Sequence, residues 1–442
     1  MKNVSNSSSN SVKEIELKEG KYYQLGNGHP EQSHNEFENK GSQQEKQASD
    51  QDLKLASHYF VFLGLASLLP WNTVLSTLDY YDKQFPDGKV TFYFPAALTT
   101  TIILTKLFIV YFKEIFSINL RVAGSLFVQA FLLAIFPIIA YIFSNSNLGY
   151  WIAMLFLIIL GTINQISYAS SMGLAGYFPA QFMSNFTTGT GLGGITTNLL
   201  RIATLLFIRS FASQSNLFDI FIQYASTTSF LVFCAYLHLK FVKSDYAIQQ
   251  IEKHTAIDIS RKPGESKNHA EELKASLQRL WSTFKKVQNL ALFMILMYIQ
   301  TLMLFPGVML KQEIPNLDLS WKVVLLQATY NISDTLGKHL TQHVLLSRMA
   351  IFKLILCRFI FYFTFITQAV TSGAPIIDDV WFTILNIVLF GVSNGFTTSA
   401  IFIFGPQEFE GEDKEIVIFL LLNCLSFGIM LGSFMAIPLA DL

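Results

Sequence analysis

Three polar residues inside one apolar run pose the chemical question. Asn331, Asp334 and Lys338 are spaced three and four apart, so they share one face of a helix. A charge at the centre of a bilayer costs roughly 2.5–3.5 kcal/mol even on lenient scales. An exposed helical ion pair returns only about 0.2–0.5 kcal/mol. Pairing of Asp334 with Lys338 therefore does not by itself offset placement in mid-span. A water-lined cavity would, and it would leave lone pairs and donors free to hold a polar solute; the alternative is a self-neutralising pair that locks helix packing. His339 and His343 lie off that face and read as packing or interfacial residues.

Other runs carry polar stripes of their own. Thr187, Thr188, Thr190, Thr196, Thr197, Asn198 and Arg201 fall in one apolar stretch. Arg201 has two open placements, the same cavity or an outward snorkel. Gly189 to Gly194 matches G-x-G-x-x-G, but no strand precedes it and no acid follows at the required distance. Small residues at spacing four, Gly189 and Gly193, read instead as a surface for close helix approach. Gln165, Tyr168 and Met172 form one face of another run, and Gly173, Gly176 and Pro179 weaken its end. In the first run Pro70 interrupts the hydrogen-bond ladder. Trp71, with Leu68 and Leu75 one turn to either side, has two open readings, a side chain projecting inward or a member of an interfacial aromatic belt.

These positions need a scaffold, and the composition specifies its class. Of 442 residues 51% are hydrophobic and 14% charged, with 41 Phe and zero formal net charge. Globular soluble domains carry about 25% charge. Half of the charged side chains lie in residues 1–55 and 243–286. A disordered chain, a disulfide scaffold and a basic nucleic-acid binder are excluded, and a polytopic membrane protein remains. Cys234, Cys357 and Cys424 each sit in an apolar run and read as buried single thiols.

Eleven runs are long enough to span a bilayer, near 57–80, 92–112, 121–143, 150–177, 184–209, 217–241, 287–308, 321–346, 351–371, 379–404 and 415–439. Stretches such as 291–305 do not alternate in polarity, so the runs are helices rather than barrel strands. The expectation is an all-α membrane protein. It has a disordered cytosolic tail (1–55), a six-helix half (56–242), a cytosolic loop (243–286) and a five-helix half (287–442). Lys and Arg placement puts the amino terminus inside, and an odd span count puts the carboxyl terminus outside. No P-loop, nucleophile elbow or metal-ligand cluster occurs. The expectation is therefore no enzyme, no catalytic residue, no cofactor and no metal, with transport driven by substrate or ion gradients.

Several motifs in register resemble those of the equilibrative nucleoside transporter family. They are LLPWN at 68–72, GLAGYFP at 173–179, TGTGLGG at 188–194, NISDTLGK at 331–338, SNGF at 393–396 and FGP at 404–406. Arg121, Gly124 and Arg358 also fit. The resemblance implies a major-facilitator-like 6+5 bundle working by alternating access, with the plasma membrane as the expected location. It implies that Leu68, Trp71 and Leu75 flank a nucleobase while Asp334 and Lys338 hold ribose hydroxyls. An apolar slot suits a base, and a carboxylate beside a cation suits vicinal hydroxyls. Two positions depart from the family pattern. Lys338 stands where Arg is usual, and Tyr168 stands where Gln is usual, with Gln165 one turn away. Purine against pyrimidine, and nucleoside against nucleobase, stay open. The implied partners are a nucleoside or nucleobase and the lipid bilayer, with no nucleic acid polymer. A proton-coupled symporter is the alternative, and a helical-bundle channel or receptor is the more distant one.

Overall fold

The computed structural model describes residues 49–112, 116–211, 216–261, 269–312, 314–341, 343–344, 346–370, 379–409 and 412–442. The first 48 residues, and with them most of the expected tail, lie outside the described residues. Among the described residues the regular structure is helical throughout. Helix α1 (Asp50–Leu75) starts on a capping box, where Ser49 accepts from Gln51 and Asp52 reaches back to the Ser49 amide. It runs through Pro70 unbroken. Proline removes a single donor from the ladder, and the Asn72 side chain adds a bond in the same turn by donating to the Leu68 carbonyl at 2.9 Å.

The chain continues through α2 (Leu78–Gln84), α3 (Val90–Thr99), α4 (Ile102–Phe112), α5 (Ser125–Ile142), α6 (Asn147–Gly176), α7 (Ala180–Phe211) and α8 (Asn216–Phe241). Then follow α9 (Asp245–Arg261), α10 (His269–Leu304), α11 (Gly307–Leu310), α12 (Leu319–Leu340), α13 (Arg348–Cys357), α14 (Ile360–Val370), α15 (Val380–Phe404) and α16 (Glu412–Met435). Helix α6 ends at Gly176, just before Pro179, as its composition requires. The charged segment 243–286 is helical on both sides of residues 262–268, which lie outside the described set. Charged residues suit the solvated face of a helix as well as a loop, so charge density alone does not separate the two.

Among the described residues, eight helical segments are long and apolar enough to cross a membrane. The other three expected runs are also helical but differ in kind. Residues 92–112 divide at Thr100 and Thr101 into α3 and α4. Helices α7 and α12 are lengthy, but their Thr, Asn, Gly and charged residues dilute the hydropathy. On the outer surface Phe131, Trp151, Phe363 and Trp381 are each more than 60% exposed, as suits side chains that face lipid. The protein is an integral, multi-pass membrane protein.

Packing sorts the helices into two groups, α1 with α3–α8 and α10 with α12–α16. The tightest pairs are α1 with α7, α12 with α15 and α10 with α16. Glycine explains all three. A methyl on Gly64 would meet the Phe186 carbonyl, and one on Gly189 would meet that of Val61. Gly337 and Gly395 likewise abut the backbone of Val392 and Asp334, while Gly428 and Gly432 abut Ile295, Tyr298 and Ile299. Lipid gives helices little hydrophobic reason to associate, so close backbone approach supplies the van der Waals contact instead. The thiols divide: Cys234 is buried, Cys424 half-buried and Cys357 exposed on the bundle surface, which corrects the expectation that all three are interior. An apolar run in a membrane protein has a lipid face as well as a core face.

Candidate functional site

Helix α12 carries the ion pair. Lys338 Nζ lies 2.7 Å from Asp334 Oδ2, with 39% of the lysine side chain and 14% of the aspartate accessible. The lysine is half-buried, and so is Asp334. The second oxygen, Asp334 Oδ1, accepts from Asn394 Nδ2 of α15 at 2.7 Å. Tyr168 of α6 and Tyr298 of α10 both lie in the field of the Lys338 ammonium. Tyr168 packs its ring 5.8 Å from Phe186.

The remaining expected residues divide. Leu68 and Trp71 are half-buried on α1, as is Gln165 on α6. Leu75 is buried, 1% exposed, and its carbonyl accepts from Gln327 Nε2 of α12 at 2.6 Å. Its side chain is enclosed by neighbouring helices rather than accessible. Asn331 sets its amide against Gly194 of α7, where a methyl would stand within 3.1 Å of three amide atoms. That contact joins the two helix groups. His339 and His343 are exposed and touch each other at 3.4 Å, away from the ion pair.

Arg201 takes neither placement open to it. Its side chain is fully buried, donating to Asp219 of α8 at 2.7 Å and to Asp79 of α2 at 3.0 Å. Ser320 of α12 donates to the same Asp79 carboxylate at 2.5 Å. The bonds Ser320–Asp79 and Gln327–Leu75, with the ion pair of Lys89 and Asp441, hold the two groups together at one end of the bundle. At 1.5 Å per residue, Asp334 lies about 10 Å and Lys338 roughly 16 Å along α12 beyond Gln327. The ion pair is therefore displaced from the sealed end towards the other. A second tie crosses the groups lower down, where Lys106 of α4 donates to Ser426 of α16.

Sequence reasoning missed Asn394, Thr301, Tyr298 and Lys106 as site or interface residues. SNGF contained Asn394, but only the partner across the bundle gives it meaning. Lys106 stood out as a lone charge in an apolar run and could have been found on that ground.

A family model described as nucleoside transporter matches residues 152–439. The chain belongs to the nucleoside transporter family. Among curated relatives of this family, equilibrative nucleotide transporter 8 of Arabidopsis thaliana is 26% identical over 379 residues, covering 84% of this chain and 91% of its own. Equilibrative nucleoside transporter 2 of Rattus norvegicus is 23% identical over 436 residues, covering 85% and 94%. Among solved structures, the nucleoside transporter NupG has a TM-score of 0.55 at 12% identity over 86% of this chain and 89% of that one. The xylose transporter XylE from E. coli has a TM-score of 0.53 at 10% identity over 87% and 94%. These likenesses show that the chain shares the overall fold of those solved transporters.

Proposed function

We propose that this protein carries nucleosides, with bare nucleobases as the alternative cargo, down their gradients by alternating access. The observation that supports this best is the partly accessible Asp334–Lys338 pair, displaced along α12 from the end where Ser320 bonds Asp79 and Gln327 bonds the Leu75 carbonyl across the two groups. A polar solute reaching that pair from the open end would be released to the opposite side once the seal moves to the other end. Leu68 and Trp71 supply an apolar side for a base, with Leu75 closing its far end. Asp334 and Lys338 supply acceptor and donor for ribose hydroxyls. Gln165, Tyr168 and Asn331 complete the lining.

In this reading α3 with α4, α7 and α12 cross the membrane beside the eight apolar segments, giving eleven spans arranged as six and five. Their helical form and their packing into the two groups support that count. The amino terminus is cytosolic and the carboxyl terminus extracellular or lumenal, which makes the sealed end the outer one. The plasma membrane is the proposed location.

Uptake of labelled adenosine or uridine in a cell lacking its own nucleoside uptake tests the proposal. Saturable uptake that is stimulated by unlabelled nucleoside on the opposite side is expected. Conduction without saturation or trans-stimulation would instead mark a channel.

A further inference from the structure

Among the described residues, Arg358 is a buried cation with no carboxylate in direct contact, and it stands behind the ion pair. It is 1% exposed. Its Nη1 donates to Ser393 Oγ at 2.5 Å and to the Phe390 carbonyl at 3.0 Å. Its Nη2 donates to Thr301 Oγ1 at 2.8 Å, and the guanidinium lies 4.8 Å from the Phe390 ring centre. Thr301 Oγ1 lies 2.7 Å from Asn394 Oδ1, and Asn394 Nδ2 lies 2.7 Å from Asp334 Oδ1.

The ends of this chain settle the direction of every bond in it. A guanidinium can only donate and a carboxylate only accept. Thr301 therefore accepts from Arg358, and its single hydroxyl proton is shared by Asn394 Oδ1 and the Met297 carbonyl, 2.7 and 2.9 Å away. The Asn394 amide must then turn its NH2 to Asp334, since the reverse would set carbonyl oxygen against carboxylate. Helix α10, the junction of α13 with α14, and helix α15 thus converge on one oxygen of one side chain.

We infer that Arg358, Thr301 and Asn394 form a positioning relay that fixes the Asp334 carboxylate for the vicinal hydroxyls of a riboside. The relay sets the discrimination between ribosides and ligands that lack those hydroxyls. This rests on the reading of Asp334 as the ribose contact. Lys338 alone cannot hold the carboxylate in one orientation, because its ammonium is a point charge on a flexible stem and defines no plane. Asn394 supplies a second fixed donor, and the hydroxyl of Thr301 stops that donor from rotating. Without the relay, Asp334 swings towards Lys338 and meets a ribose in a less favourable geometry. A ligand with no ribose hydroxyls does not register the change.

The test compares uptake of uridine with that of 2′,3′-dideoxyuridine, normalised to surface protein. Thr301→Val removes the hydroxyl. Asn394→Ala removes the amide while leaving Arg358 its own partners, so it separates the relay from the burial of the cation. Each should raise KM for uridine about tenfold, equivalent to about 1.4 kcal/mol, with KM for the dideoxy analogue unchanged. Thr301→Ser, which keeps the hydroxyl, should restore the wild-type ratio. Asp334→Asn provides the control on the underlying reading. If Asp334→Asn keeps the riboside preference, the assignment of Asp334 to ribose fails. If Asp334→Asn abolishes the preference while Thr301→Val and Asn394→Ala retain it, the relay is overturned. An equal rise in KM for both ligands would also overturn it, since a general structural defect does not distinguish them.

Discussion

Lys338 holds its ammonium 2.7 Å from Oδ2 of Asp334, one turn along the same face of α12, while Asn394 occupies the other oxygen. The carboxylate is thus held from two directions and still reached by solvent. Asp334→Asn keeps the shape but loses the charge-assisted bonds, which are roughly twice as strong as neutral ones. Nucleoside uptake should fall by an order of magnitude or more with surface protein unchanged. Normal uptake in that variant would remove Asp334 from the site.

Transport should not require a proton gradient. Asp334 already has a full counter-charge in Lys338 at 2.7 Å, so the pair carries no net charge for a transported proton to balance. A protonophore, or a mildly acidic medium, should leave the initial rate of uptake essentially as it was. Uptake that collapses with the gradient would establish the symporter alternative.

Arg201 is expected to matter for stability before it matters for recognition. Arg201→Ala would leave Asp79 and Asp219 buried without their cation. Breaking a buried pair this way costs about 3–5 kcal/mol. Thermal unfolding of detergent-solubilised protein should show a lowered midpoint, larger for Arg201→Ala than for Asp219→Asn.

Two glycines offer a matched comparison. A methyl at Gly395 would collide with the Asp334 carbonyl, whereas one at Gly191 meets nothing within 4 Å. Gly395→Ala should lower both stability and uptake. Gly191→Ala should be neutral or stabilising by up to about 1 kcal/mol, the helix propensity difference. Equal effects in a thermal-shift assay would contradict the packing described for α12 and α15.

Asp82, on α2 at the sealed end, provides a pH test. Burial raises the pKa of its carboxyl, with Lys322 opposing the shift and Asp79 reinforcing it. A raised value means that the folded state favours the protonated form. The contribution of Asp82 to stability is therefore fully present below the unfolded value of about 3.9 and is lost as pH rises through the folded value. Asp82→Asn should raise the unfolding midpoint at neutral pH, and the gain should shrink as the medium approaches about pH 4. A gain that does not depend on pH would point to packing instead.

Particular residues show which parts of this arrangement could be read from the chain. Asn331, Asp334 and Lys338 were legible because helical spacing is local and the cost of charge in hydrocarbon is large. The helical character of the bundle followed from the same continuous apolar runs. Arg201 was not legible: one of its partners, Asp79, stands 122 positions away on α2, and no periodicity encodes a contact of that range. Thr301 and Asn394 escaped notice because a threonine or asparagine in a membrane helix ordinarily satisfies itself within its own turn. Both do bond across helices, but only the folded neighbours reveal it. Leu75 shares the helix phase of Leu68 and Trp71, but phase alone does not show that its side chain is buried while theirs are not.

The glycine contacts have a mechanical corollary. Gly64 and Gly189 press α1 onto α7, and Gly337 and Gly395 press α12 onto α15, in each case backbone on backbone. One pair carries Leu68 and Trp71, and the other carries Asp334, Asn394 and Lys338. Neither pair can flex much within itself, so the gap between the aromatic and ionic sides changes only when one pair moves against the other, near the touch of Gly194 on Asn331. Under the proposed function the two pairs would act as the jaws of a calliper. Cargo would then be gauged by its length from base to hydroxyls, and substitutions that alter that span should shift preference by size before they alter chemistry.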